Sequence, residues 1–154
     1  MDAWKDQIGV ASKPALVCHS GAQEQEMLKT SLTELDYRVE FATTADEALV
    51  KMPTAQYEVI VLDEAFDGST LENNTLLKAL QEMLMVTRRS IFVALLGSQF
   101  TTGDHMMAFA KSVNVVINPN DMGNISTILK HSIAEDKKFF STLIECFHEA
   151  GTGV

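Results

Sequence analysis

The chain has 154 residues, with 12 lysines and arginines against 21 aspartates and glutamates and a formal charge of −9. That balance excludes a protein that grips a nucleic-acid backbone or an anionic membrane surface through clustered cations. With 46% hydrophobic residues at this length, one domain with a substantial core is expected, not a disordered chain.

The first 13 residues are mixed and polar around Trp4, and Pro14 punctuates them, so they read as an N-terminal arm. They lack the basic start and apolar core of a secretion signal, and no apolar run approaches the roughly 18–20 residues of a membrane-spanning helix. A cytoplasmic protein is expected. Cys18 and Cys146 lie far apart and read as reduced thiols, and no Cys/His spacing offers a structural zinc site.

From residue 15 onward, short apolar runs alternate with amphipathic stretches. Residues 15–18 read as a buried strand, and 23–35 as a helix with Met27, Leu28, Leu32 and Leu35 on one face. Residues 37–41 alternate as a half-buried strand does. Thr44 and Glu47 have the spacing of a capping box, which opens a helix over 45–52 that Pro53 should stop. An apolar β-branched strand over 58–62 ends on Asp63. Ser69 and Glu72 repeat the capping signature and predict a helix with Leu76, Leu77, Leu80, Met83 and Leu84 turned inward.

Residues 90–96 form the fourth predicted strand, 104–112 a short Met-rich helix, and 113–117 a fifth strand closed by Asn118-Pro119. A last helix follows Asn120-Asp121 and carries Ile125, Ile128, Leu129 and Ile133. Five apolar strands alternating with helices predict a parallel sheet covered on both faces, because right-handed crossovers lay the helices on alternate sides. Beyond Glu135-Asp136-Lys137-Lys138, Phe139, Phe140, Leu143, Ile144 and Phe147 form one helical stripe, so a C-terminal helical extension is expected. The organisation read from sequence is an arm (1–13), a domain (14–134) and an extension (135–150).

In an open parallel sheet the functional crevice lies at the carboxyl ends of the strands. The residues there are Cys18-His19-Ser20, Asp63-Glu64, Leu96-Gly97-Ser98 and Asn118-Pro119. The order of elements, Asp63 closing an apolar third strand and Asn-Pro closing the fifth resemble the receiver domain of bacterial response regulators, over about residues 14–134. The fold this implies is a doubly wound α/β, flavodoxin-like or CheY-like (βα)5 domain.

The resemblance implies Asp63 as the equivalent of the phosphoacceptor. It places Cys18 and His19 where the family carries two acids that bind Mg²⁺. Leu96 or Gly97 falls where a Ser/Thr belongs, with Ser98 reached only by a shift, Asn118 where a Lys belongs, and Val115 where a switch aromatic belongs. Mg²⁺ needs hard oxygen ligands and the acyl phosphate needs a neutralising cation, so these replacements point to a pseudo-receiver that lacks the usual phosphorylation cycle. Glu64 or Asp67 could supply an oxygen under the alternative reading, a divergent receiver phosphorylated on Asp63 with Mg²⁺. Cys18, His19 and Asp63 together could instead form a Zn²⁺ constellation that lacks an evident fourth ligand.

Enzymatic alternatives fail on individual residues. A low-molecular-weight tyrosine phosphatase resembles this chain in placing a cysteine after the first strand, but Glu24 stands where its phosphate-binding Arg is needed. Neither a P-loop nor a Gly-x-Gly-x-x-Gly run occurs. The expected function is therefore non-catalytic: a receiver-like module, without cofactor, that contacts a protein partner in a bacterial two-component or related signalling assembly or forms a homodimer. The alternative in the same class is a purely structural dimerisation domain. The surfaces expected to make contact are Met106, Met107 and Phe109 in the Met-rich helix and Phe139, Phe140, Leu143, Ile144 and Phe147 in the extension.

Overall fold

The computed structural model describes residues 13–150, with the side chains of residue 140 and residues 147–150 outside the description. Trp4 and the rest of the predicted arm up to residue 12 also lie outside the described residues.

Five parallel strands, β1 (Lys13–Cys18), β2 (Tyr37–Phe41), β3 (Val59–Asp63), β4 (Phe92–Leu96) and β5 (Val115–Ile117), form one sheet in the order β2-β1-β3-β4-β5. Their apolar runs are continuous because both faces are covered. Alternate residues go to opposite sides. Ala15, Val17, Val59, Val61, Ala94, Leu96, Val115 and Ile117 pack with Leu28 and Leu32 of α1 (Ala22–Glu34) and with Ile125, Leu129 and Ile133 of the last helix. Leu16, Cys18, Ile60, Leu62, Val93, Leu95 and Val116 pack on the other face against α2 (Ala45–Ala55), α3 (Thr75–Glu82) and α5 (His105–Lys111). A short helix, α4 (Met85–Arg89), precedes β4.

The expected doubly wound, five-stranded parallel architecture is therefore present, with corrections at element ends. Lys13 and Pro14 belong to β1, where they pair with Tyr37 and Arg38 instead of ending an arm. Helix α2 carries Pro53 inside it and continues to Ala55, with Gln56 in the left-handed region as its terminator. Pro53 sits in the final turn, and the helix runs only two residues beyond it. The Ser69/Glu72 signature does not open a helix. Asn74 caps α3 instead, accepting from the Leu77 N–H at 3.0 Å.

Leu84, predicted to face inward, is exposed, because the chain leaves α3 at Met83 and turns into α4. Residues 90 and 91 precede β4, and residues 113 and 114 precede β5. Helix α6 (Ile125–Ala150) runs 26 residues without interruption through the predicted domain boundary at Ala134. A 3₁₀ turn, Pro119–Asn124, leads into it.

Candidate functional site

Strand order reverses between β1 and β3, so their carboxyl ends flank a crevice that no crossover covers. Cys18 is register partner to Leu62, which brings His19 beside Asp63 at the ends of adjacent strands. Asp63 is half-buried, and on its other side it is register partner to Leu96 of β4.

Burial pushes the Asp63 carboxyl up. The His19 imidazole opposes that rise, Glu64 adds to it, the Ala65 N–H opposes it, and Glu24 adds a smaller push upward. The backbone that presents Asp63 is fixed by Asn74, which is buried and whose Nδ2 donates to the carbonyls of Asp63 (3.4 Å) and Glu64 (3.1 Å) while its Oδ1 caps α3. Sequence reasoning missed Asn74. The signal was an Asn one residue before a helix start, masked by the stronger-looking Ser69/Glu72 pair.

His19 is half-buried, and its Nδ1 accepts from the Gly21 N–H at 2.9 Å, so in the neutral ring the proton sits on Nε2. The Glu24 carboxylate folds back over Gly21, close enough that a side chain there would displace it, and the same side chain would meet the His19 ring. Cys18 does not face the crevice. It is fully buried in the layer under α2 and α3, and burial pushes its thiol up to about 12, with Glu47 adding to the rise. A thiol so held is neither nucleophile nor metal ligand at neutral pH.

Glu64 closes the far side of the site. Its Oε1 accepts from the Ser98 N–H at 3.1 Å and from the Ser98 hydroxyl at 3.3 Å, and its own N–H donates to the Leu96 carbonyl at 2.9 Å. A Cβ on Gly97 would lie 2.9 Å from Glu64 Oε2 and 2.7 Å from Phe100 Cδ2, so a carboxylate and a ring fill the space beside this backbone position.

Asn118 donates to the carbonyls of Ser98 (3.2 Å) and Phe100 (2.8 Å), and its Oδ1 accepts from the Asn120 N–H. It staples the β4–α5 loop. Thr102, which reads in sequence as a turn or cap group, accepts from the Asn118 N–H at 2.8 Å and donates to Asp121. Leu96 and Val115 are buried in the layer under α1 and α6. Asp67, in the left-handed region at φ 55°, caps α2 through the Ala45 N–H at 2.9 Å.

A divalent cation of the kind the resemblance implies needs several hard oxygens around one point. Glu64, the carboxylate next to Asp63, is already engaged by Ser98, and no group of three His, Cys, Asp or Glu side chains among the described residues is placed to hold a metal ion. The residues present do not fit Mg²⁺. They do not fit the Cys18/His19/Asp63 zinc arrangement either, because Cys18 points into the core.

The predicted contact residues divide. Met106 is 78% and Phe109 84% exposed on the outer side of α5, whereas Met107 packs partly against the core. On α6, Ile133 is the last buried residue among those described, Phe139 and Ile144 are more than 60% exposed, and Leu143 is half-buried. Phe140 and Phe147 fall among the side chains outside the description. An open groove of about 790 Å³ runs from Glu64 past Gln99 and Phe100 to Met107 and Lys111. No helix among the described residues is long and apolar enough to cross a membrane.

No protein-family model matches the sequence, and no curated protein matches it. Solved structures do match. The non-phosphorylated HemR receiver domain of Leptospira biflexa aligns at 20% identity and TM-score 0.61, over 79% of this chain and 94% of its own. The receiver domain of a sensor histidine kinase from Pseudomonas aeruginosa, with a magnesium ion coordinated in its active-site cleft, aligns at 18% identity and TM-score 0.60, over 80% of this chain and 99% of its own. A chemotaxis response regulator of Vibrio cholerae aligns at 18% identity and TM-score 0.56, over 76% and 98%. At these identities the shared property is the fold: the chain is built as response-regulator receiver domains are built, and its C-terminal helix is long.

Proposed function

We propose that this chain is a receiver-like signalling module of a bacterial two-component or related pathway that acts by contacting a protein, not by catalysis, and without Mg²⁺-dependent phosphorylation of its acceptor aspartate. The supporting observation is the Glu64 carboxylate. It lies beside Asp63 and over Gly97, bonded to Ser98, where a phosphoryl group would need a hydroxyl and a cation. Phosphoryl transfer depends on positioning and charge neutralisation, and a fixed anion at that place opposes both. Exposed Met106, Phe109, Phe139 and Ile144 are adaptable apolar contact material and support a protein partner in the cytoplasm, a second copy of the chain included.

The test is intact-mass spectrometry after acetyl phosphate treatment with Mg²⁺. The expected result is no gain of a phosphoryl group. A stoichiometric gain that disappears in Asp63→Asn favours the alternative, a divergent phosphorylatable receiver. Light scattering on the full chain and on a truncation after Ala134 tests the extension as contact surface, with self-association expected to be lost on truncation.

A further inference from the structure

In the receiver scheme an anion created at the end of the third strand is met by a hydroxyl after the fourth. Here an anion from the end of β3 already occupies that relationship. Glu64 Oε1 receives both the backbone N–H and the hydroxyl of Ser98, and Asn118 holds the carbonyls of Ser98 and Phe100 from the opposite side. Phe100 is buried behind Gly97, so the loop is clasped on three sides. Gln99 and Phe100 of this loop line the 790 Å³ groove together with Glu64, Met107 and Lys111.

Resting on the reading of Asp63 given above, we propose that Glu64 is a built-in anion that holds the β4–α5 loop where a phosphoryl group on Asp63 would otherwise have to hold it. The chain is thereby fixed in one signalling state. Ser98 and its N–H form an anion site of the carboxylate or phosphate class that the protein's own side chain fills. The charge matters as well as the hydrogen bonds, because bonds from N–H and O–H to an ionised oxygen are roughly twice as strong as neutral ones. Removing the side chain should therefore release the loop and uncover a site that a small external anion can occupy.

The experiment is ¹⁵N-resolved NMR with amide exchange on the full chain, as wild type, Glu64→Ala and Glu64→Gln, each titrated with sodium formate. In Glu64→Ala the amides of Ser98, Gln99 and Phe100 should exchange about tenfold faster, as expected for a loop that has lost its local clasp. Saturating formate should return the Ser98 resonance toward its wild-type position, while wild type shows no saturable response. Glu64→Gln keeps the shape and one acceptor oxygen but not the charge, and should fall between the two.

Unchanged loop exchange in Glu64→Ala, or no saturable formate effect on it, overturns the proposal. A Glu64→Gln protein indistinguishable from wild type also overturns it, because the hydrogen bonds alone would then suffice. Should Glu64→Ala fail to fold, the charge comparison between Glu64→Gln and wild type decides the matter. The phosphorylation test above is independent: Asp63 could prove inert while the loop ignores Glu64, or the reverse.

Discussion

Asn114 Nδ2 donates to Asp136 Oδ1 at 3.0 Å, and this bond ties the residue preceding β5 to the middle of α6. The same Asn114 accepts from Arg88 Nη2 at 3.0 Å and from the Val93 N–H at 2.9 Å, while Arg88 also donates to the carbonyls of Ile91 (2.7 Å) and Ser112 (2.9 Å). Burial raises the Asp136 carboxyl, and Asn114 and Arg88 hold that rise back.

Replacing Asn114 with Ala strands three groups at once: the Val93 N–H, part of the Arg88 guanidinium and the Asp136 carboxylate. Leaving a buried polar group unsatisfied costs about 1–3 kcal/mol, more when it is charged. Asn114→Ala is therefore expected to destabilise by about 2–4 kcal/mol, read as a lower urea midpoint at unchanged slope. A loss below about 1 kcal/mol would show that water replaces the amide.

Asp63 gives a pH signature. Its carboxyl is raised in the folded state, so the native protein binds its proton more tightly than the unfolded chain does. Its contribution therefore falls as pH climbs from the unfolded carboxylate range, about 3.9, through the native value, and the full penalty is present above that. Asp63→Asn should raise the thermal midpoint at pH 7 and lose this advantage near pH 3. A variant less stable than wild type at pH 7 would refute the assignment of burial as the dominant cause.

Gly97 cannot accept a side chain without rearrangement. A Cβ there meets Phe100 and Glu64 at under 3 Å. Gly97→Ser is expected to cost about 1–3 kcal/mol, the range for overpacking, and to lower the melting temperature by several degrees. Pairing it with Phe100→Leu should recover part of the loss.

The two thiols should differ sharply. Cys18 is fully buried with its thiol pushed up to about 12, whereas Cys146 is exposed on α6. Under native conditions one thiol per chain should react with Ellman's reagent, and both in denaturant. For the same reason Cys18→Asp, which restores a family acid in sequence, should bury a carboxylate and destabilise by about 3 kcal/mol or more. His19→Asp, at the half-buried rim, should not.

The sequence by itself determined the layered architecture. Apolar runs such as 59–62 and 92–96 can be satisfied only between two helical layers, and the i, i+3, i+4 stripes of α1, α3 and α6 supplied those layers. Asp63 at the end of β3 and Asn118 after β5 were legible for the same reason, since the end of an apolar run marks the end of a strand. Local chemistry also fixed the Thr44 cap, where the Glu47 N–H donates to the Thr44 hydroxyl oxygen at 3.1 Å.

What needed the tertiary structure was direction and partnership. Alternation along β1 sends Val17 and Cys18 to opposite layers, and only the packing of α2 and α3 shows that Cys18 lies in a covered core layer and not at the crevice. Ser69-Glu72 and Asn74 are both good caps locally. Asn74 prevailed because its amide also satisfies the carbonyls of Asp63 and Glu64, two groups remote from it in sequence. Glu64 looked like a spare oxygen beside Asp63, yet Ser98, 34 residues away, engages it. Whether a carboxylate awaits a ligand or already serves as one depends on contacts that periodicity does not encode.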